Sequence, residues 1–390
     1  MANRICIPDY EYKERAQRVA RLIEKNNLDV LIVNSNEADY ANVRYFSGFW
    51  PLFERAGLAI TPQGKTALMV GPESRVYASD FSRVQDIFML MEYRESADPS
   101  YPEVKAERFQ DVFSFLGVNG SNLRIGVASL LDTSVVTMQG IRDSFPKAEI
   151  VDANHIMIEM RKIKSENEIA CMREGFRITE IATREVIKAI RPGVTECQMV
   201  GVAQKAIYEN GAEYEGLPMY VFSEASTRHA ISRSSHREIK KGDIVQLNLS
   251  AKVDGYSPSV GLPISMGKLS PERRAYIDFC WEAHQWTEKQ LKAGVLASDV
   301  AKGFYKFYKD SGHESNYLYG PCHGTGMIEV EAPWMETISD YVLEPNMTFQ
   351  IDTFITTDTF GARWEKGIVI KEDGIENLCE AIGTLHELDF

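Results

Sequence analysis

The sequence predicts an α+β protein with two domains, a smaller α/β domain at residues 1–157 and a larger domain at residues 158–390. Helix and strand patterns alternate along the first half, whereas the second half repeats one order of helices and strands. The chain has 390 residues, of which 44% are hydrophobic, so it can bury a separate core in each domain.

The first half begins with a helix signal. Apolar side chains recur at helical spacing over residues 9–27, with Asp9 as the predicted N-cap. The apolar run LDVLIV at 28–33 predicts a buried strand, GLAITPQGKTALMVG at 57–71 predicts a hairpin, and LRIGVAS at 123–129 predicts a further strand. Alternating elements of this kind indicate an α/β domain.

A long helix opens the second half. Ser165 and Glu168 form an S-x-x-E capping box, in which each side chain satisfies a backbone N–H at the start of a helix. We place the domain boundary just ahead of this helix, near residue 158.

The second half contains an internal repeat. KAIRPGVTECQMVGVAQKAIYENGAE and KQLKAGVLASDVAKGFYKFYKDSGHE share a helix end, a Gly-Val turn, a second helix and a glycine stop. Their turn and stop glycines are 101 residues apart, Gly193 with Gly294 and Gly211 with Gly312. Downstream, GDIVQLN ending at Asn248 matches NMTFQID ending at Asp352 with an offset of 104. Two such units pack about a pseudo-twofold axis, which predicts one cavity faced by Asn248 and Asp352.

Composition argues against several classes of partner. A net charge of −13 and a pI near 5.2 argue against nucleic acid, which requires clustered Lys and Arg. The longest basic cluster, 233–241, is interrupted and is interpreted as a solvated entry to a strand. The six cysteines form no CxxC pair, which predicts reduced thiols. The sequence shows neither a membrane span nor a signal peptide, so we expect a cytoplasmic protein without a membrane partner.

Five motifs of the second half carry a family resemblance. They are RKIKSENEI, GDIVQLNLSAKVDGY, HGTGMIEVEAPW, EPNMTFQID and RWEKGIVIKEDGIENL. Together with the repeat, they resemble the creatinase/aminopeptidase P/prolidase family. The resemblance implies a pita-bread fold for the larger domain, which is the catalytic domain, and the family's smaller N-terminal domain for the first half. It also implies a hydrolase that acts on a small-molecule substrate as a homodimer.

The resemblance also bears on metal binding, because the family's peptidases hold two divalent metals with two Asp, one His and two Glu. Matched position by position, these ligands fall on Asn248, Ser259, His323, Asp352 and Glu365. Two neighbouring divalent ions need several anionic oxygens, and Asn248 and Ser259 are neutral. We therefore expect no cofactor and a largely lost dinuclear site. The alternative is one divalent metal, such as Mn, Zn or Fe, held by His323, Asp352 and Glu365.

A metal-independent reaction has a precedent in this family, because creatinase hydrolyses a guanidino C–N bond without metal. The resemblance therefore implies a C–N bond hydrolase for a small zwitterionic substrate of guanidino, amide or betaine-like type. The implied catalytic residues are His323, Asp352, Glu365 and His229. The catalytic histidine of creatinase falls on Ile231, and His229 lies two residues earlier, on the same face if this segment is a strand.

The predicted substrate-binding residues come from both halves. Three of them lie in the second-half motifs, namely Asn248, Ser259 and Glu331. In the aromatic stretch YFSGFWPLFERAG, Trp50 or Phe53 would hold a substrate cation on its ring face. Arg55 or Arg228 would hold the substrate carboxylate. The alternative for the aromatic stretch is a plug between the domains.

Two further classes of function stay open. A single metal would support an Xaa-Pro aminopeptidase, a dipeptidase or a lyase, because a fold alone does not determine the reaction. A non-catalytic small-molecule-binding or scaffold protein would need only the cavity. Individual residues also have structural alternatives: Glu365 could pair with Arg363, and His229 could simply face solvent.

Overall fold

The computed structural model describes residues 4–380, 383 and 385–390, and the chain divides into two compact units. The smaller unit spans Ile7–Arg161, and the larger unit spans Lys162–Phe390 together with the described residues 4–6. The boundary indicated near residue 158 falls inside the last helix of the smaller unit. That helix continues to Arg161 and buries Met157 and Met160.

The smaller unit is built on a six-stranded mixed sheet. Its helices are α1 (Asp9–Lys25), α2 (Ala41–Ser47), α3 (Arg75–Phe81), α4 (Phe109–Leu116), α5 (Val135–Ser144) and α6 (Asn154–Arg161). Its strands are β1 (Val30–Ser35), β2 (Ala56–Ile60), β3 (Thr66–Val70), β4 (Ile87–Met89), β5 (Arg124–Ala128) and β6 (Glu149–Asp152). The sheet order is β4-β3-β2-β1-β5-β6, with β1 parallel to β5 and antiparallel to β2. This confirms the α/β domain.

The three strand predictions for this unit are confirmed by β1, by the β2–β3 hairpin and by β5. The predicted N-cap was wrong by one residue. Pro8 is the N-cap, with φ −71° and ψ 150°, and Asp9 is already in the first turn. Proline is tolerated at this position because a backbone N–H there would have no acceptor within the helix. The negative charge of Asp9 in the first turn interacts favourably with the positive end of the helix dipole. The buried core includes Val30, Ile32, Phe109, Phe113 and Ile125.

The larger unit combines four long helices with one ten-stranded sheet. The helices are α7 (Glu166–Ala189), α8 (Glu196–Glu209), α9 (Pro271–Glu288) and α10 (Ala297–Asp310). The strands are β7 (Tyr214–Glu215), β8 (Tyr220–Ser223), β9 (Ile244–Lys252), β10 (Ser259–Ser265), β11 (Cys322–Gly324), β12 (Glu331–Trp334), β13 (Thr348–Thr356), β14 (Gly361–Lys371), β15 (Gly374–Asn377) and β16 (His386–Glu387). The main path of the sheet is β12-β11-β13-β14-β10-β9-β7. No helix among the described residues is long and apolar enough to cross a membrane.

The internal repeat is visible in the positions of these elements. Helices α8 and α10 start and end 101 residues apart, and strands β9 and β13 start and end 104 residues apart. Strands β10 and β14 pair at Gly261 and Glu365, which are again 104 residues apart. The centre of the pseudo-twofold arrangement therefore lies between β10 and β14.

The start of α7 is tied to the turn between β9 and β10. Ser165 Oγ accepts a hydrogen bond from the Glu168 N–H at 3.2 Å, and Glu168 Oε2 accepts one from the Ser165 N–H at 2.7 Å, which confirms the capping box. The Tyr256 hydroxyl donates to Glu168 Oε1 at 2.6 Å. Asp254 and Gly255 in the turn both have positive φ, as a two-residue hairpin turn needs.

Candidate active site

The central strands of the larger unit line a cavity of about 830 Å³. Its polar and charged lining includes Asn248, His323, Glu329, Asp352, Arg363 and Glu365. Its apolar and aromatic lining includes Leu217, Tyr220, Ile231, Tyr319, Val330 and Trp334. A concave site with a few converging polar groups among apolar walls is the usual form of a small-molecule site.

The register of the sheet explains why these side chains meet. Asn248 on β9 lies opposite Gly261 on β10, and Gly261 lies opposite Glu365 on β14. On the other side of β14, Glu365 lies opposite Asp352 on β13. A Cβ atom on Gly261 would lie 2.8 Å from the Cβ of Glu365 and 3.1 Å from Nδ2 of Asn248. The missing side chain therefore lets Asn248 reach across β10 to Glu365.

The carboxyl group of Glu365 is held on both oxygens. Asn248 Nδ2 donates to Oε2 at 2.5 Å, and Ser259 Oγ lies 2.7 Å from Oε1. The same hydroxyl oxygen lies 2.9 Å from Oε1 of Glu329 and accepts a hydrogen bond from Gln350 Nε2 at 3.0 Å. A hydroxyl has one proton, so Ser259 can donate to only one of the two carboxyl groups. The second carboxyl group can form a full hydrogen bond with this oxygen only when it carries a proton itself.

The electrostatics of this pair agree with a bound proton. Burial, the neighbouring charge of Glu329 and its hydrogen bond raise the pKa of Glu365 from 4.5 to about 8. Burial also raises the pKa of Glu329. Burial and the proximity of the two carboxyl groups therefore favour a shared proton when no metal ion is bound.

His323 presents one ring nitrogen to this carboxyl pair. Its Nδ1 lies 3.0 Å from the carbonyl oxygen of Gly324, which can only accept, so Nδ1 carries the proton. Nε2 lies 3.8 Å from Glu365 Oε1 and 3.9 Å from Glu329 Oε1. These distances are too long for direct hydrogen bonds. The arrangement places His323 Nε2 beside the two carboxyl groups.

Arg363 belongs to the site and pairs with Asp352. Its Nε lies 3.2 Å from Asp352 Oδ1, although the sequence suggested Glu365 as the structural partner. Its terminal nitrogens donate to the hydroxyl groups of Tyr220 and Tyr319 and, at 2.8 Å, to the carbonyl of Ala230. Burial raises the pKa of Asp352, and the charge of Arg363 opposes that rise.

Within the described part of the chain, one group of acidic and histidine side chains could hold a metal ion. The ligand atoms of His323, Glu329 and Glu365 all lie within 4.8 Å of one another. One imidazole and two carboxylates suit a single transition metal. Asp352, which the sequence placed in this set, lies against Arg363 instead, and Glu329 takes its place.

Glu331, a predicted substrate-binding residue, is not part of the cavity lining. Its Oε1 accepts a hydrogen bond from Lys164 Nζ at 2.8 Å, and both side chains are buried. The strand β12 starts at Glu331, so Glu329 lies just before it and turns into the cavity. The structure therefore gives Glu331 a structural ion pair and gives Glu329 the position at the site.

Replacing Glu331 with Ala should lower the free energy of unfolding by about 3 kcal/mol, because Lys164 stays buried without its carboxylate. Chemical denaturation measures this change. Glu336→Ala, at an exposed position nearby, serves as the control and should leave stability within about 0.5 kcal/mol. A variant of Glu331 with unchanged stability and weakened ligand binding would return this residue to the substrate site.

His229 and Arg228 are exposed and do not line the cavity. A short 3₁₀ turn, Glu224–Arg228, ends there, and no strand includes His229, so the alternation expected of a strand does not apply. Ile231, with 88% of its surface exposed, lines the cavity instead. The structure thus does not bring His229 to the catalytic groups.

The aromatic stretch lies in the smaller unit. The Trp50 ring packs against Tyr40 with centroids 4.9 Å apart, and Trp50 Nε1 donates to the Glu37 carbonyl at 3.1 Å. Phe53 has a positive φ and is 77% exposed, while Arg55 is partly buried. Substrate binding by Trp50, Phe53 and Arg55 stays a prediction.

Several residues of the cavity were missed from the sequence. They are Glu329, Arg363, Tyr220, Tyr319 and Trp334. Arg363 could have been found, because it lies two residues before Glu365 and so shares its face of β14. Glu329 could not, because it lies in an irregular segment where strand alternation gives no direction.

Comparison with known proteins agrees with this architecture. Residues 170–372 match the model of metallopeptidase family M24, and residues 15–163 match that of the creatinase/prolidase N-terminal domain. The chain is 22% identical to an Xaa-Pro dipeptidase of Pyrococcus furiosus over 94% of this chain and 98% of that one. It is 26% identical to a creatinase of Bacillus sp. over 96% of this chain and 92% of that one.

A solved structure shares the fold. The X-Pro aminopeptidase of Thermotoga maritima superposes with a TM-score of 0.82 at 21% identity, covering 95% of this chain and 99% of that chain. The M24 match covers more than half of the chain and includes every charged residue that lines the cavity. The chain therefore belongs to metallopeptidase family M24 and carries a creatinase/prolidase N-terminal domain.

Proposed function

We propose that this protein hydrolyses a C–N bond of a small zwitterionic substrate, of guanidino, amide or betaine-like type, without a metal ion. The hydrogen bonds around Glu365 carry the proposal. Asn248 and Ser259 hold this carboxyl group from the two positions where the family resemblance places metal-binding aspartates. A proton therefore takes the place that a cation would occupy beside Glu365.

A pair of metals does not fit these residues. Asn248 directs its Nδ2 donor, which cannot ligate a metal, at Glu365 Oε2, while its Oδ1 lies 3.3 Å from the donor Gln246 Nε2. Ser259 contributes a neutral hydroxyl, and Asp352 is paired with Arg363. Two hard divalent ions would need the negative charge that these positions lack.

The side chains suffice for hydrolysis by general acid–base catalysis. His323 Nε2 accepts a proton from a water molecule as the water oxygen forms a bond to the substrate carbon. The C–N bond breaks, and the leaving nitrogen takes the proton of the Glu329–Glu365 pair. The raised pKa of Glu365 keeps this proton available at neutral pH, which is the property a general acid needs.

The cavity also supports a substrate with a positively charged group. The Glu329–Glu365 pair, with one shared proton, retains one negative charge, and the rings of Tyr319 and Trp334 line the same space. Trp334 lies next to His323, with ring centroids 5.4 Å apart. A cation over such a ring is attracted to its face.

A panel of compounds tests the proposal. Guanidino acids, small amides and betaines would be incubated with chelator-treated protein, with Xaa-Pro dipeptides as the comparison, and amine or urea release would be followed. We expect hydrolysis of at least one non-peptide compound without metal, and its loss in folded His323→Ala protein. Turnover that survives His323→Ala, or binding without any turnover, would contradict the proposal.

The second candidate is a single-metal Xaa-Pro dipeptidase or aminopeptidase. The group His323, Glu329 and Glu365 favours it, as do the names of the relatives. A metal held there would polarise the scissile carbonyl and lower the pKa of bound water. In the same panel, this candidate predicts cleavage of Xaa-Pro dipeptides only when divalent metal is added. A homodimer and a cytoplasmic location stay predictions.

A further inference from the structure

Two arginines line the cavity, and they differ in their partners among the residues that the structure describes. Arg363 is buried, and its guanidinium group is paired with Asp352 and hydrogen-bonded to Tyr220, Tyr319 and the Ala230 carbonyl. This arginine therefore has little capacity left for a substrate anion.

Arg233 is the second guanidinium group of the lining, and it is exposed. It makes no hydrogen bond or ion pair with any residue that the structure describes. By contrast, the arginine four residues later, Arg237, is paired with Asp243 at 2.6 Å. Arg233 therefore has all its donors available at the edge of the cavity.

The backbone around Arg233 is held from both sides. Before it, the Ala230 carbonyl accepts from Arg363 at 2.8 Å. After it, Ser234 Oγ lies 2.8 Å from the Val221 N–H and 2.9 Å from the Val221 carbonyl oxygen. Ser235 donates through its N–H and its hydroxyl to one oxygen of Glu196, at 2.8 and 2.7 Å. Residues 231–233 therefore lie between a hydrogen-bonded residue on each side, Ala230 and Ser234.

The Glu196 carboxylate accepts hydrogen bonds from residues on both sides of Arg233. It is fully buried at the start of α8, and its other oxygen accepts from the Ser223 N–H at 2.8 Å and the Ser223 hydroxyl at 2.6 Å. Glu196 thus joins both ends of the segment 223–235, which carries Arg233. A supported loop binds a ligand with a smaller loss of entropy than a mobile one.

We infer that Arg233 binds the carboxylate of the substrate and thereby selects zwitterions with a free carboxylate. This inference rests on the proposed function, because it concerns the substrate class of the same site. The cationic end of the substrate faces the Glu329–Glu365 carboxyl pair, and its carboxylate lies on the guanidinium fork of Arg233 at the mouth. Arg228, the arginine that the sequence suggested for this task, does not line the cavity.

Binding of three probes and their primary amides tests the assignment. The probes are guanidinoacetate, glycine betaine and glycylglycine, measured with the full chain by isothermal titration calorimetry. We expect at least one carboxylate probe to bind about tenfold more tightly than its amide, as a charge-assisted hydrogen bond allows. Arg233→Gln should reduce this preference to about twofold or less, and Arg233→Lys should retain part of it.

Two further variants serve as comparisons. Arg191→Gln changes another exposed arginine of the larger unit, away from the lining, and should keep the wild-type preference. The assignment is overturned if no probe is preferred over its amide, if the preference survives Arg233→Gln, or if Arg228→Gln removes it instead. The result is separate from the proposed function, because turnover and metal dependence are measured independently of the carboxylate preference.

Discussion

We expect the double variant Asn248→Asp, Ser259→Asp to bind Mn²⁺ about a hundredfold more tightly than the wild-type chain. The two new carboxylates would join Glu329, Asp352 and Glu365 around one cavity, and Mn²⁺ is bound mainly by oxygen ligands. Asn248 and Ser259 already contact the carboxyl group of Glu365, so the new oxygens would lie beside an existing ligand. Calorimetric titration with Mn²⁺ measures the change.

The same variant should be less stable in the presence of chelator, by about 3 kcal/mol, because additional buried carboxylates repel one another. Added Mn²⁺ should restore stability, since an ion that binds only the folded state stabilises it. Asn119→Asp, Ser121→Asp adds the same charge at exposed positions and should change neither property. If the double variant gains no metal affinity, the metal-binding positions of the family lie elsewhere in this chain.

Replacing Glu365 with Gln should lower turnover about a thousandfold, because Gln keeps the shape of a protonated carboxyl group but has no proton to give. The same replacement should make the protein more stable at alkaline pH. In the wild type the folded pKa is about 8 and the ordinary value is 4.5. The favourable contribution of the protonated group is therefore complete below pH 4.5 and is lost as pH rises through 8.

At pH 9 the Glu365→Gln variant should have an unfolding free energy about 4 to 5 kcal/mol above that of the wild type, and near pH 5 this difference should shrink to about 1 kcal/mol. Denaturation across this pH range measures it, with turnover measured in parallel. Glu372→Gln, at an exposed position, is the matched control. Equal pH dependence of stability in the wild type and the Glu365→Gln variant would mean that this carboxyl group is not held protonated.

The arrangement of the larger unit could be predicted because equivalent elements of its two repeats are separated by nearly constant numbers of residues. Offsets of 101 and 104 residues relate α8 to α10 and β9 to β13, and the second offset also relates Gly261 to Glu365 at the centre of the sheet. The predicted site residues on these strands meet because strand register and alternation extend over long distances. Asn248, Asp352 and Glu365 were predicted in this way, and all three line the cavity.

The residues that escaped prediction lie where no regular element constrains direction. Glu329 turns into the cavity from an irregular segment, whereas its neighbour Glu331 pairs with Lys164. His229 was predicted on the assumption of a strand that does not form there. Arg233 was interpreted as part of a solvated basic cluster. The hydrogen bonds from Ser235 to Glu196, which support the segment around Arg233, join residues far apart in the chain and leave no local sequence signal.

The metal content of hydrolytically active protein distinguishes metal-free from metal-dependent hydrolysis. The protein would be purified without chelator, its metal-to-protein ratio measured by mass spectrometry, and its activity recorded on the same sample before and after exhaustive chelation. We expect far less than one metal ion per chain and activity that chelation leaves unchanged. One ion per chain, with activity that disappears on chelation and returns with added metal, would contradict metal-free hydrolysis.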